Sequence, residues 1–186
     1  GPLSFGHARG IIINGEYAKE YEGELILRFD DTDTIVKPPL PEAYGIIEQE
    51  AEWLLGFKPH RVVIASDRID EYYRHVDIML SGGFGYVCQC SADKFREFRV
   101  SKTNCPCREN EIELNIELWN KMLDGTFVPG DAVVRVKTDM ELKNPALRDW
   151  PALRIQDTIK NPHPRKEIGS NYRVWPLLDF QSAVED

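Results

Sequence analysis

The sequence lacks any apolar run that approaches the roughly 20 residues of a membrane-spanning helix. Residues 1–9 also lack the charged and apolar regions of a secretory signal peptide. A basic excess is missing as well, because 23 Lys and Arg stand against 31 Asp and Glu, a formal net charge of −8. These absences argue against a membrane protein, a secreted protein and a generally basic nucleic-acid coat, and they predict a cytoplasmic location.

Little in the composition points to disorder or to a fibrous protein. Apolar residues make up 42% of the 186 residues and charged residues 29%, which is ordinary for a globular protein. No internal repeat is visible in the sequence. The length predicts one domain, or one domain that carries an insertion, with roughly 70% of its unfolded surface buried.

Apolar positions recur at helical spacing in three stretches. These stretches run from about residue 7 to 21, from Pro41 to Gly56, and from Ile69 to Gly82-Gly83. Asn14-Gly15 also fits a hairpin turn, but no alternating apolar run follows it, so we prefer a helix. Short apolar runs at 24–29 and 61–65 predict strands, the second of them buried. This alternation favours an α/β fold with a parallel sheet that helices cover on both faces.

The pattern changes after Tyr86-Val87, where cysteine, arginine and lysine cluster. A helix near 111–123 and a β-rich segment at 133–137 follow, and we interpret this region as an insertion. Basic residues outnumber acidic ones by five to two in 91–108 and by four to one in 159–173. Such segments fit contacts with a phosphate backbone, although a charge run is more often a solvated face.

A glycine-containing loop leads into the first predicted helix in the order Pro2-Leu3-Ser4-Phe5-Gly6-His7-Ala8-Arg9. A helix N-terminus has unpaired N–H groups and a partial positive charge, which suit a nucleotide phosphate. Gly6 would let a flat ring or a phosphate approach the backbone, and His7 can donate a hydrogen bond to a phosphoryl oxygen. The alternative is a helix cap beside a chance histidine.

Three aspartates surround one threonine in the segment Arg28-Phe29-Asp30-Asp31-Thr32-Asp33, at the carboxyl end of the first predicted strand. In an open α/β sheet this edge is where ligands bind, so carboxylates here suit a substrate ammonium or a metal. Because Asp also favours turns and caps, a hydrogen-bonded turn is the alternative.

Four cysteines form two tight pairs, Cys88 with Cys90 and Cys105 with Cys107. Two such pairs supply four thiolates to a tetrahedral metal, and sulfur ligands favour zinc over calcium or magnesium. Nearby basic side chains would offset the negative charge of such a site: Lys94, Arg96, Arg99 and Arg108. We predict a structural zinc, with non-ligating thiols and disulfides between the pairs as alternatives.

The three motifs, in this order, resemble those of archaeal-type glutamyl-tRNA synthetases, a family of class I aminoacyl-tRNA synthetases. The segment Ser4-Phe5-Gly6-His7 is similar to the His-Ile-Gly-His signature, and RFDDTD (28–33) is similar to the segment that closes over the amino acid. Further matches cover essentially the whole chain: PEAYGIIEQEAEWLLGF, SDRIDEYYRH, CPCR, KNPALRDWPALRIQDT and YRVWPLLDFQSAVED.

The resemblance implies a class I synthetase fold, which is a Rossmann-like parallel sheet with an inserted, zinc-bearing connective domain that holds the tRNA acceptor end. Residues 1–87 would form the first part of the nucleotide-binding domain, 88–170 the insertion, and 171–186 the return into the nucleotide-binding domain. The implied reaction is glutamate plus ATP giving glutamyl-adenylate, followed by transfer to tRNA, with Mg²⁺ accompanying the ATP.

The resemblance also assigns roles to single residues. His7 and Ser4 would be catalytic, with His7 steadying the phosphates in the transition state, and Gly6, His7 and Arg9 would bind ATP. Ser4 stands where the signature has its first histidine, so a hydroxyl would replace one imidazole donor.

Further positions are assigned to the amino acid and to the metal. Asp30 would receive the α-ammonium of glutamate, and Leu178 and Ser182 are further amino-acid-binding positions by resemblance, with Leu178 where relatives often have tyrosine. The predicted zinc ligands are Cys88, Cys90, Cys105 and Cys107.

The second signature of the class, a Lys-Met-Ser-Lys-Ser-type loop, does not occur in its expected place. The segment 99–103 (RVSKT) is superficially similar, but it lies between the cysteine pairs, and we interpret it as a chance match. A first strand and an anticodon-binding domain are also missing, so we expect the chain to be part of a longer polypeptide. The alternatives are a glutaminyl-tRNA synthetase, an enzyme that glutamylates a modified tRNA nucleoside, and a non-catalytic nucleotide- or tRNA-binding module.

Overall fold

A computed structural model describes residues 4–185. Pro2 and Leu3, from the predicted glycine-containing loop, lie outside the described residues, as do Gly1 and Asp186. The α-helices described are α1 (Phe5–Glu20), α2 (Pro41–Leu55), α3 (Ile69–Ser81), α4 (Ala92–Ser101), α5 (Ile112–Asp124) and α6 (Leu178–Glu185). The strands described are β1 (Ile26–Phe29), β2 (Arg61–Ile64), β3 (Gly85–Cys88), β4 (Val133–Val136), β5 (Pro151–Ile155) and β6 (Val174–Pro176).

The three helices expected from apolar spacing are confirmed as α1, α2 and α3. Proline begins α2 at its first helical position, where its missing N–H costs nothing, and Gly56 ends it with a left-handed φ of 73°. The hairpin alternative at Asn14-Gly15 is wrong, because both residues lie inside α1. Among residues 4–185, no helix has the length and apolarity needed to cross a membrane.

The chain packs into two compact units. The first comprises residues 4–67 with His163–Gly169, and the second comprises Arg68–Pro162 with residues 170–185. This packing differs from the domain boundaries expected at 87 and 170, because β3 and residues 171–185 pack with the second unit. All four residues of β3 are buried. A short apolar run of this kind has no alternation and does not indicate which strand it pairs with. The domain boundaries at 87 and 170 follow from the family resemblance, and they stay a prediction.

Two parallel strands and their connecting helix organise the first unit. Ile26 of β1 lies opposite Arg61 of β2, and Phe29 lies opposite Ile64, with α2 as the crossover that a parallel pair requires. Arg61 and Val62 are exposed, so β2 is less buried than its apolar sequence predicts. Because the strands are parallel, their carboxyl ends meet at one edge of the sheet.

A four-stranded antiparallel sheet in the order β3-β4-β5-β6 lies in the second unit. The sequence predicts a strand near residues 133–137, which is confirmed as β4, but it does not predict this antiparallel sheet. Helices α3 and α5 pack against each other and against β3. The largest buried side chains of this unit are Tyr72, Tyr86, Trp119 and Trp175.

A close approach of α1 and α2 depends on Gly15. A Cβ atom at Gly15 would lie 2.3 Å from Leu55 Cδ2 and 3.3 Å from Leu55 Cγ, so Gly15→Val should destabilise the fold by about 2 kcal/mol through overpacking. Gly45→Ala is the matched control, because no atom lies within 4 Å of a Cβ there, and it should stabilise α2 by about 0.5–1 kcal/mol. Urea denaturation of both variants measures the difference, and equal stabilities would contradict the packing described.

Candidate active site and metal centre

Ser4 and His7 form a linked pair at the N-terminus of α1. The Nδ1 atom of His7 lies 3.0 Å from the Ser4 backbone N and 2.8 Å from Ser4 Oγ. Because a backbone N–H can only donate, Nδ1 accepts, and the neutral ring carries its hydrogen on Nε2. His7 therefore contributes to the helix cap, as the alternative interpretation expects, and it also has an N–H that can donate to a ligand.

A cavity of about 1100 Å³ brings Gly6, His7 and Asp30 together. Helix α1 supplies Gly6 and His7, and Asp30 follows the last residue of β1. Ligand pockets in proteins commonly measure about 300–1,000 Å³, so this cavity has room for a nucleotide. Two of the motifs, which are separate in the sequence, thus share one binding space.

Arg9 does not line this cavity. It lies with Ser4, Phe5 and Ala8 beside a second and more apolar cavity that Trp53 of α2 also lines. Successive helical residues are rotated by roughly 100°, so positions 7 and 9 of α1 point to different sides. The assignment of Arg9 to ATP stays a prediction, and the structure does not bring it together with Gly6 and His7 in one cavity.

The aspartates of RFDDTD have different surroundings. Arg28 Nε donates to Asp30 Oδ1 at 2.8 Å, and the Asp30 side chain keeps 35% of its surface exposed. Asp33 Oδ1 accepts from the backbone N–H groups of two following residues, so the hydrogen-bonded-turn alternative is correct for Asp33. Asp30 is the aspartate of this segment that lines the large cavity.

Asp31 is buried, with only 6% of its surface exposed. Its Oδ2 accepts from Tyr44 OH at 2.6 Å and from Ser66 Oγ at 2.7 Å, and its Oδ1 accepts from the Ser66 backbone N–H at 2.8 Å. His163 Nε2 lies 3.4 Å from Oδ2. Burial raises the pKa of Asp31, but the hydrogen bonds from His163, Tyr44 and Ser66 outweigh it and lower the pKa below its usual value.

Leu178 and Ser182 lie one turn apart on α6, in the second unit. Positions separated by four residues share a helix face. Leu178 is exposed and Ser182 is half-buried. Their amino-acid-binding role stays a prediction.

The structure brings all four cysteines together in the second unit. Their sulfur atoms lie within 4.8 Å of one another, and three of the pairs are 3.4, 3.6 and 3.8 Å apart. Four sulfurs bound to one tetrahedral zinc at about 2.3 Å would be roughly 3.8 Å apart, so the donor set fits zinc. A disulfide needs a bond of about 2.05 Å, and the four cysteines are free thiols, so the disulfide alternative is not supported.

Hydrogen bonds and a buried arginine shift the pKa values of two cysteines in this cluster. The hydrogen bond from Cys105 and the positive charge of Arg135 lower the pKa of Cys88, whereas the hydrogen bond to Cys88 raises the pKa of Cys105. The Arg135 guanidinium lies 3.3 Å from the centre of the Phe95 ring. Sequence reasoning missed Arg135, because β4 is far from the cysteines along the chain.

Many of the basic residues that were expected to contact phosphates, or to offset the negative charge of the thiolates, form ion pairs with acidic side chains of the same chain. The ion pairs are Lys94–Glu97, Arg96–Asp93, Arg108–Asp149, Lys160–Asp157 and Arg165–Asp67. Lys102 and Lys166 are exposed and have no ion pair among the described residues. A phosphate-backbone contact by these segments therefore stays a prediction, and Lys102 and Lys166 are exposed cations that could make it.

Sequence comparison identifies the family. The family described as tRNA synthetases class I (E and Q), catalytic domain, matches residues 1–186. The glutamate–tRNA ligases of Methanothrix thermoacetophila and Pyrococcus abyssi are 49% and 50% identical to the chain along its whole length. The chain spans 32% of each of these proteins, about a third of their length.

A crystal structure gives the same fold. The glutamate tRNA ligase from Elizabethkingia meningosepticum, in complex with its amino acid, is similar over 100% of this chain and 39% of its own, with a TM-score of 0.62 at 19% identity. This likeness confirms an α/β class I synthetase catalytic fold with a parallel sheet. The chain belongs to the catalytic-domain family of the class I tRNA synthetases for glutamate and glutamine.

Proposed function

We propose that the chain is the part of a glutamate–tRNA ligase that binds ATP and glutamate and joins them as glutamyl-adenylate. The observation that carries this proposal is the shared cavity, in which Gly6 and His7 at a helix N-terminus face the same space as Asp30. Relatives about 50% identical to the chain are glutamate–tRNA ligases, which supports glutamate as the amino acid.

Two displacements make up the proposed reaction. The glutamate carboxylate attacks the α-phosphorus of ATP, and the bond from that phosphorus to the oxygen of pyrophosphate breaks. A terminal ribose hydroxyl of tRNA then attacks the acyl carbon, and AMP leaves. The first step needs positioning and charge neutralisation more than a covalent catalyst. Mg²⁺ would arrive with the ATP, because it binds mainly through substrate phosphates and water.

His7 and the N-terminus of α1 would act on the phosphates. The Ser4 N–H and Oγ hold His7 Nδ1 as an acceptor, so Nε2–H donates to a phosphoryl oxygen. The helix N-terminus adds a partial positive charge of about half a unit. Both groups favour the charge that develops on the α-phosphoryl group in the transition state.

Asp30 would bind the α-ammonium of glutamate. Its carboxylate is partly exposed in the cavity and is oriented by Arg28, whose Nε lies 2.8 Å from Oδ1. Leu178 and Ser182 are the proposed further contacts of the amino acid, on the basis of the resemblance alone.

The cysteine cluster would hold a structural zinc in the connective domain that receives the tRNA acceptor end. Four sulfur donors without an open position are typical of structural zinc sites. Cys88 and Cys90 follow one another around the end of β3, and Cys105 and Cys107 frame the start of a short 3₁₀ helix, Pro106–Glu109. Zinc would therefore cross-link the end of β3 to the start of this 3₁₀ helix.

The first test of this function is Asp30→Asn in the full-length protein. We expect the KM for glutamate to rise about tenfold, since a charge-assisted contact becomes a neutral one, while the KM for ATP changes little. Glutamate-dependent ATP–pyrophosphate exchange with tRNA present measures both values. Asp33→Asn is the matched control, because the same atom change falls on a side chain that accepts from backbone N–H groups of a turn and that is not among the lining residues of the cavity.

The same assay distinguishes the alternative functions. The matched family includes enzymes for glutamine as well as glutamate, so labelled glutamine is tested beside labelled glutamate. Preferred transfer of glutamine would replace the proposed amino acid. Labelling of an internal tRNA nucleoside would indicate the nucleoside-modifying enzyme, and absence of any amino-acid-dependent exchange would indicate the binding module.

A further inference from the structure

A buried aspartate that the proposed chemistry does not use joins the carboxyl ends of both parallel strands. Asp31 follows β1 by two residues, and its carboxylate accepts from Ser66, which follows β2 by two residues. Tyr44 of α2 donates to the same carboxylate at 2.6 Å. Three consecutive elements of the first unit are therefore linked through one side chain.

A segment from much later in the chain completes this link. The Arg165 backbone N–H donates to His163 Nδ1 at 3.2 Å, so the hydrogen of the neutral ring is on Nε2, which lies 2.9 Å from the Asp31 carbonyl oxygen. Arg165 also donates to Ser66 Oγ at 2.9 Å. His163 thus contacts the Asp31 backbone from 132 positions away in the sequence, and Arg165 contacts Ser66, one of the partners of the Asp31 side chain.

Fixing residue 31 also fixes the direction of residue 30. Asp31 is buried whereas the adjacent Asp30 is exposed, so the two neighbouring carboxylates have different surroundings and are joined by one peptide unit. The Tyr44 ring packs against Phe29 at 5.0 Å between centroids, so Tyr44 holds the residues on both sides of Asp30. A change in this network would turn the Asp30 carboxylate in the cavity.

We propose that Asp31, together with Tyr44, Ser66 and His163, positions the Asp30 carboxylate for the amino-acid ammonium. These four are positioning residues, since they act through Asp30. The proposal rests on the proposed function for the ligand of Asp30. It goes further by making the affinity for the amino acid depend on two hydroxyls and an imidazole that contact Asp31.

Tyr44→Phe tests this with the smallest change, because it removes one donor and keeps the ring against Phe29. We expect the KM for glutamate to rise about fivefold, the effect of one hydrogen bond, with kcat and the KM for ATP within twofold of the unaltered protein. Tyr73→Phe is the matched control, because it removes a phenol that donates at 2.8 Å to the Val174 carbonyl in the second unit. It should leave the KM for glutamate unchanged.

A double variant separates positioning from general destabilisation. If Tyr44 acts through Asp30, Tyr44→Phe combined with Asp30→Asn should have the same KM for glutamate as Asp30→Asn alone, within twofold. Multiplied effects in the double variant, or an unchanged KM in Tyr44→Phe, would overturn the positioning role while leaving the proposed function intact. A lack of glutamate-dependent exchange by the unaltered protein would instead overturn the proposed function, and the positioning role with it.

Discussion

Replacing His7 with alanine should slow adenylate formation about a hundredfold, which is about 2.7 kcal/mol of lost transition-state stabilisation. The reason is that the Nε2–H donor is held in place by Ser4 on the other side of the ring, so it needs no reorganisation as charge develops on the phosphate. The ground-state affinity for ATP should change much less. Pre-steady-state adenylation by the full-length protein, with tRNA present and ATP varied, measures both quantities.

Two further variants sharpen this test. His7→Gln retains an N–H donor and should recover part of the rate. Ser4→Ala removes the Oγ contact but keeps the backbone N–H that holds Nδ1 as an acceptor, so the rate should fall by less than about fivefold. Equal losses of rate and ATP affinity in His7→Ala would contradict a role confined to the transition state, and an unchanged rate would remove His7 from the site.

Loss of the proposed zinc should strongly destabilise the second unit. Cys105→Ser combined with Cys107→Ser leaves two of four sulfur ligands, so bound zinc should fall from one per chain to nearly none. We expect a loss of several kcal/mol in the free energy of unfolding, since structural zinc contributes about 10–16 kcal/mol to small peptides at pH 7. Metal analysis and thermal melts of freshly purified protein measure the two effects.

Ser101→Ala provides the control for this change. Ser101 ends α4 and donates to the Glu97 carbonyl at 2.8 Å, near the cysteines in sequence but outside the sulfur set. This variant should keep its zinc. Full retention of zinc by the double cysteine variant would remove Cys105 and Cys107 as ligands, and unchelated protein without any metal would contradict the zinc site itself.

Short-range signals were sufficient for the first three helices and the first two strands. Pro41 and Gly56 mark the ends of α2 through backbone properties that need no partner. The cysteine pairs were also readable, because their spacing already restricts the chemistry. The resemblance in SFGH and RFDDTD correctly indicated the family.

Long-range pairing explains what the sequence did not reveal. The antiparallel sheet of the second unit needs β3 to pair with β4 across the cysteine segment, and apolar runs alone do not specify such a partner. Arg135 and His163 are ordinary residues in their local sequence. They become important only because folding brings Arg135 to Cys88 and His163 to Asp31.

By itself, the sequence determined the α/β class, the family, the four candidate metal ligands and the two motifs that carry the proposed reaction. Only the tertiary structure decided the roles of the three aspartates. Asp30 lines the cavity, and Asp31 is buried and accepts hydrogen bonds from four donor groups. Asp33 closes a turn. The reason is physical, because three neighbouring carboxylates have the same intrinsic chemistry. Burial and hydrogen-bond partners, which arrive from distant segments, give each of them a different role.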